Sequence, residues 1–287
     1  SFLVKSIFHD LSNAGDYSFF IKSGLNARKE TNLNNFKLTY SLLGSENNNQ
    51  TSISPFKQLK NNFSAFKYLD NFKYLPFISV DNNTKVITLK KGSWVISEPL
   101  KFPKGYLIIA EPGFKLDINN KAFILSYSPI NFIGNEKNPI IFSSNSTGGG
   151  LAIFNAEKMS KLSNVIFKGL SNPKTNDWSV TGAISFYESP VSIENTIFKD
   201  NISEDSLNII RSNFKLKESK FVNTSSDALD VDFSDGTIED SFFINSGNDA
   251  IDISGSQVIV DNVDILKVGD KAISVGEESE LKGDNIK

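Results

Sequence analysis

The 287-residue chain contains no cysteine and a single histidine, His9. The first absence excludes disulfide staples, thiol catalysis and cysteine-ligated zinc, and leaves the compartment open. The second removes most imidazole-centred chemistry and histidine-rich metal sites, because His9 lies far from every motif described below. Arginine is nearly missing as well: Arg28 and Arg211 are the two found among 30 basic residues. With a net charge of −3 and a pI near 5.4, no basic face for a nucleic acid is expected. No apolar run approaches the ~20 residues of a membrane span, and the densest, Tyr106–Ala110, is far too short. Hydrophobic content is 39% and charged content 22%, enough apolar material for a core and too much for wholesale disorder.

A repeat dominates the second half. The segments Asp205–Ile210 (DSLNII), Asp227–Asp232 (DALDVD), Asp249–Ser254 (DAIDIS) and Lys271–Gly276 (KAISVG) each start 22 residues after the last, and Gly182–Tyr187 (GAISFY) lies 23 residues upstream. A second register runs in step through Val191–Ile193, Phe214–Leu216, Gly236–Ile238 and Val258–Val260, and a third apolar column through Phe198, Phe221, Phe243 and Ile265. Asn223 and Asn245 also stand one period apart. Each segment alternates apolar and polar residues, the signature of a strand with one buried face. A period of this length with two or three short strands is one rung of a parallel β-helix, too short for a β/α unit of about 30 residues. Weaker rungs continue upstream at Gly150–Phe154, Ile140–Phe142, Ala122–Leu125, Tyr106–Ile109 and Val86–Leu89, and Ser171–Trp178 reads as a loop protruding from one corner.

Three regions follow. Residues 1–53 lack the repeat and form a lead-in, with alternation at Tyr17, Phe19 and Ile21 suggesting strands and Glu46–Ser52 a linker or exposed loop. Residues 54–73 form a capping helix: Ser54-Pro55 is an N-cap with proline at the first helical position, and Phe56, Leu59, Phe63, Phe66 and Leu69 recur at helical spacing. Such a helix would cover the open apolar end of the first rung, the alternative being packing against another domain. Residues 74–287 form the β-helix, and Glu280–Lys287 begins another second-register strand, as expected of a piece of a longer multidomain chain.

The run from Gly182 to Glu280 resembles bacterial right-handed parallel β-helix repeat proteins. In particular it is similar to β-helix modules joined to spore-coat-protein-H-like (CotH-like) kinase domains, and more distantly to the pectin-lyase-like superfamily. In polygalacturonases of that superfamily, N-T-D, D-D and G-H-G motifs fall on successive rungs. Ser225-Ser226-Asp227, Asn248-Asp249 and Gly269-Asp270-Lys271 occupy the corresponding places here, without the histidine and with Asn-Asp for the Asp pair. The resemblance implies an all-β, right-handed, single-stranded parallel β-helix and activity toward polysaccharides, although fold analogy alone supplies no reaction.

In the first-register strands Leu207, Ile209, Leu229, Val231, Ile251 and Ile253 point inward, and Ser185, Tyr187, Asn208, Ile210, Asp230, Asp232, Asp252, Ser254 and Ser274 point outward. Rungs stack at about 4.8 Å, so Asp230 and Asp252 should lie almost atop one another on an exposed face, which is unfavourable unless a proton, cation or basic group intervenes. Asp205, Asp227 and Asp249, with Lys271 next in line, form a second ladder at the preceding corner, where satisfying turn amides is the plain role of aspartate. Glu188 and Arg211 occupy equivalent positions on adjacent rungs and should pair, on the surface or at a ligand.

These positions admit a carbohydrate groove. Acids on adjacent rungs sit near the ~5 Å spacing of a retaining glycosidase, and acids two rungs apart near the ~9 Å of an inverting one. A lyase or epimerase would use a cationic base and neutralise a uronate, which makes Arg211 and Lys271 catalytic candidates beside Asp230 and Asp252. Tyr187, Glu188, Asn208, Asp232 and Trp178 are the ligand-binding candidates, Trp178 as a sugar platform; Trp94 fits a core position. Asp230, Asp232 and Asp252 together could hold calcium, the one cofactor considered. Gly148–Gly150 lacks the Lys-Ser/Thr of a phosphate loop and reads as a turn. The expected partner is a polysaccharide or cell-surface glycan, acidic glycans included, met in an extracellular, cell-surface or periplasmic setting. The alternative is a non-catalytic structural or adhesive spacer, with a flat ladder of satisfied Asp and Asn in place of a groove.

Overall fold

The computed structural model describes residues 37–40, 49–52, 71–145, 148–175 and 178–287. The chain divides into two units, Ser1–Asn62 and Phe63–Lys287. In the first, strands Lys37–Tyr40 and Asn49–Ser52 pair antiparallel, Lys37 opposite Ser52; the expected strand around Tyr17–Ile21 lies outside the described residues. Nearly all of the expected capping helix, including Phe63 and Phe66, also lies outside them. What is described at its far end is a 3-10 turn, Asn71–Tyr74, whose Phe72 is buried with its ring 5.8 Å from that of Phe102. Strand Ile78–Asp81 then pairs antiparallel with Val86–Leu89, a hairpin the repeat did not foretell.

The second unit is an all-β parallel solenoid. Each rung contributes one strand to each of three faces. One face is an eight-stranded parallel sheet made by Leu100–Phe102, Ile124–Ser126, Leu151–Phe154, Gly182–Tyr187, Asp205–Ile210, Asp227–Asp232, Ile251–Ser254 and Ile273–Val275. The other two faces run into one another through the long strand Gln257–Val268. Register follows the sequence repeat residue for residue: Leu207 faces Leu229 and Ile251, Asn208 faces Asp230 and Asp252, and Ile209 faces Val231 and Ile253.

The period-2 pattern fills the interior. Leu229, Val231, Ile251 and Ile253 are fully buried, and Phe142, Phe167, Phe198, Phe221 and Phe243 stack along the solenoid axis. Their ring centroids close from 5.4 Å to 4.7 Å, and the planes of the last pair differ by only 3°, an arrangement that stacking of like rungs imposes. In the second-register column Phe214 is followed by Gly236: an added Cβ there would come within 2.3 Å of the Phe214 ring, so glycine here makes room for phenylalanine.

Two corners are lined by buried hydroxyls. The amides of Ser189, Ser212 and Ser234 donate to the Oγ of Ser212, Ser234 and Ser256, at 2.8, 3.0 and 2.9 Å. Thr196 and Ser219 donate likewise to Ser219 Oγ and Ser241 Oγ. Each Ser hydroxyl in turn donates to the carbonyl two residues before it, as Ser212 does to Ile210 and Ser234 to Asp232. The corner amides, which have no place in the strand ladders, are thereby satisfied without water. The chain turns at these corners through left-handed residues: Glu188, Arg211 and Phe233 at one, and Asn195, Glu218 and Asp240 at the other. Asn and Asp tolerate that conformation best among the non-glycines. The glycines Gly148–Gly150 answer to crowding by backbone: a Cβ at Gly148 would meet Ile118 O at 1.8 Å, and one at Gly150 would meet Ala183 O at 1.9 Å. No helix among the described residues is long and apolar enough to cross a membrane.

Candidate functional site

The outer surface of the eight-stranded sheet carries the site candidates, and it is not the open surface that alternation suggests. Ser185 and Asn208 point outward yet are at most 1% exposed. The cause lies at the strand entry. Gly182 pairs with Asp205, and a Cβ on Gly182 would lie 2.8 Å from Asn208 Cβ and 2.7 Å from Ser185 Oγ. The start of the strand packs against its own outward side chains and covers them along that edge.

Five aspartates meet there. Asp230 and Asp252 face one another across adjacent strands, as the period requires. Asp232 stands two residues from Asp230 on the same strand, close enough for each carboxyl to act on the other. Asn208 Nδ2, from the preceding strand, donates to Asp230 Oδ2 at 2.8 Å and to Asp232 Oδ2 at 3.5 Å. Burial first, and then the charges of Asp205, Asp232, Asp252 and Asp227, push the Asp230 carboxyl far above the usual carboxylate range. Asp232 is raised chiefly by burial, against the Asn208 hydrogen bond.

Asp205 departs from the turn-capping role expected of its column. It is 2% exposed, its Oδ2 has no hydrogen-bond partner, and burial raises its carboxyl to about 7 despite a side-chain bond with Thr181. The other members of the column do cap turns. Asp227 Oδ1 accepts from the Asp249 amide at 2.8 Å and from Asn248 Nδ2 at 2.7 Å. Asp249 Oδ1 accepts from the Lys271 amide at 2.8 Å. Lys271 is drawn into the same ladder: its Nζ lies 2.6 Å from Asp270 Oδ2 and 3.4 Å from Asp249 Oδ2, and the Asp270 bond raises its pKa. An ammonium held by two carboxylates is a poor base. Among the described residues no three His, Cys, Asp or Glu side chains are grouped as a metal ion would need, so the expectation of calcium on Asp230, Asp232 and Asp252 finds no support in the geometry.

The edge of the face is cationic and aromatic. Arg211 Nη1 donates to Tyr187 Oη at 2.7 Å and lies 4.0 Å from Glu188 Oε1, making the expected pair a loose, exposed one. Its guanidinium sits over two rings, 5.8 Å from Tyr187 and 5.7 Å from Phe233. Glu188 also accepts from Asn155 Nδ2. Upstream, Tyr127, Phe154 and Tyr187 follow one another on successive strands, with centroids 6.4 and 5.6 Å apart.

Trp178 does not stand out on a protruding loop. A short hairpin, bridged at Lys174 and Ser179, folds back so that Trp178 packs 5.9 Å from Phe123 and 5.8 Å from Phe154. It thickens the aromatic strip as a half-buried member. Trp94 is half-buried against Phe77 at 5.4 Å, away from this face. The sequence alone did not single out Tyr127 and Phe154, and it gave Asp205 a turn-capping role. The first two could have been found by extending the outward column of Tyr187 upstream through the weaker rungs.

No protein-family model and no curated protein matches the chain. Among solved structures it is similar to ORF18 of Geobacillus virus E2, at 9% identity and a TM-score of 0.22, over 72% of this chain and 56% of that one. The chain thus spans little more than half of that protein's length, and a likeness of this size carries no argument about function.

Proposed function

We propose that the outer face of the eight-stranded sheet is a carbohydrate-interacting surface, acting outside the cytoplasm. The observation that carries this reading is the adjacency of two elements on one face. The half-buried strip Tyr127, Phe154, Trp178 and Tyr187 suits the apolar faces of sugar rings, and the pocketed carboxyls of Asp205, Asp230 and Asp232 suit their hydroxyls. If the surface is also catalytic, the roles divide by protonation. Asp230, which holds its proton at neutral pH, is the acid of a hydrolase, and Asp252, its neighbour across the ladder, is the base or nucleophile. Arg211 is the cation available to orient an anionic group, while Lys271 serves the corner ladder.

The rival reading is a spacer, and the serine, phenylalanine and asparagine ladders favour it, since they stiffen the solenoid with no ligand. Binding to a glycan array and depolymerisation of polysaccharides separate the two. The carbohydrate reading expects binding that Tyr187→Ala and Asp230→Asn weaken with the fold intact. A chain that binds and degrades no glycan is a spacer.

A further inference from the structure

The face is rich in acceptors and poor in free donors. Asp230 faces Asp252 across the ladder and feels the charges of Asp205, Asp227 and Asp232 as well. The two cations at its borders are engaged elsewhere, Arg211 with Tyr187 and Glu188 and Lys271 with Asp249 and Asp270. A second observation is independent of the charges. Asn208 is fully buried, and while its Nδ2 donates into the Asp230–Asp232 pair, its Oδ1 has no partner. Asp205 Oδ2, one strand entry away, is likewise buried and unpartnered. Of five such buried atoms among the described residues, these two share one strand beside the carboxyls, and a native chain seldom leaves such acceptors unanswered unless something supplies the donors.

We infer that the ligand of this face is a glycan bearing protonated amines, whose ammonium groups bind among Asp205, Asp230, Asp232 and Asp252. This rests on the carbohydrate reading and narrows it away from acidic glycans. An ammonium brings several donors and the missing charge at once, whereas a uronate would bring a further negative charge to carboxyls that already repel one another. The proton that Asp230 holds leaves to solvent as the ammonium arrives, so charge is conserved within the site. The aromatic strip assists, because a cation over a ring face is attracted to it. Arg211 between Tyr187 and Phe233 already shows that this edge seats one. The groups facing Asp230 are Asn208 and Asp205 from the preceding strand, Asp252 from the next, and Asp227 and Asp232 from its own.

The test is calorimetric titration of the full chain with chitosan oligomers, their N-acetylated counterparts and oligogalacturonate, at mildly acidic pH and in two buffers of different ionisation heat. The amine oligomer is expected to bind tightest and to release protons. Asp230→Asn/Asp232→Asn should weaken it by at least about tenfold, and Ile210→Lys, which places a fixed cation beside the pair, should abolish it. If oligogalacturonate or the acetylated oligomer binds as tightly as the amine, the inference is wrong and the carbohydrate reading stands. The same holds if both variants leave amine binding unchanged. If none of the three binds, the carbohydrate reading falls with it.

Discussion

Replacing Asp205 with asparagine should make the solenoid markedly less sensitive to pH. In the folded chain burial raises this carboxyl from 3.8 to about 7. A carboxyl raised by folding holds a proton that the unfolded chain has already released, so folding stability falls as pH climbs between those two values. About three pH units at 1.36 kcal/mol each amount to roughly 4 kcal/mol, a sizeable share of the 5–15 kcal/mol that holds a typical domain. The contribution is fully present below about pH 4 and fully lost above about pH 7. Asparagine keeps the shape of the protonated acid and cannot ionise. Thermal melts followed by circular dichroism from pH 4 to 9 should therefore start together and diverge, the variant melting roughly 8–16 °C higher at neutral pH. The charge of Asp205 also bears on Asp230, and its removal relieves that group in the same direction. Parallel curves for the two proteins across this range would refute the reasoning, because they would mean that Asp205 is ionised and solvated in the native state.

Gly236→Ala should cost about 1–3 kcal/mol in urea denaturation, because its Cβ has no room beside the Phe214 ring. Adding Phe214→Leu should recover part of the loss, and a Gly236→Ala protein of unchanged midpoint would show that the ring moves freely. Ser234→Ala removes the acceptor of the Ser212 amide and should cost about 1–3 kcal/mol, whereas Ser254→Ala, on the outer face, should cost far less. Ile251→Asp puts an unpaired charge in the fully buried core and should cost several kcal/mol, seen as loss of the cooperative melt; a normal melt would overturn the register.

The solenoid was legible because its signal is redundant. Leu229, Ile251 and their column-mates repeat the same apolar choice at a fixed spacing, and stacking turns that spacing directly into strand register. The Asp230–Asp252 and Glu188–Arg211 neighbours follow from the same arithmetic. What escaped depends on features that period alone does not encode. Ser189, Ser212, Ser234 and Ser256 keep the period as faithfully as the apolar columns, but serine reads as surface, and only the corner geometry reveals a buried acceptor. The burial of Asn208 and Asp205 follows from the close approach at Gly182, where the lack of a side chain is the cause. Trp178 packs inward because of how its hairpin folds, which no alternation pattern describes. The antiparallel entry of Ile78–Asp81 precedes the first rung and has no counterpart in the repeat to be compared with.

The hydroxyl-lined corners carry a further consequence. A serine that must take an amide from the rung before it and give its own proton to a carbonyl two residues back tolerates no change in spacing, so those corners act as rulers. Chain length between them is quantised, and whole rungs can be added or lost where single residues cannot. The third corner, leading into the eight-stranded sheet, is held from rung to rung by Asp227 and Asp249 in its later rungs and takes surplus chain upstream. There the register partners Leu151 and Ile184 stand 33 residues apart, against 22 for Leu207 and Leu229, and most of the surplus becomes the hairpin carrying Trp178. That corner overlooks the aromatic strip beside the carboxyl cluster. The largest surplus of chain therefore falls at the edge where it can reshape what the face meets.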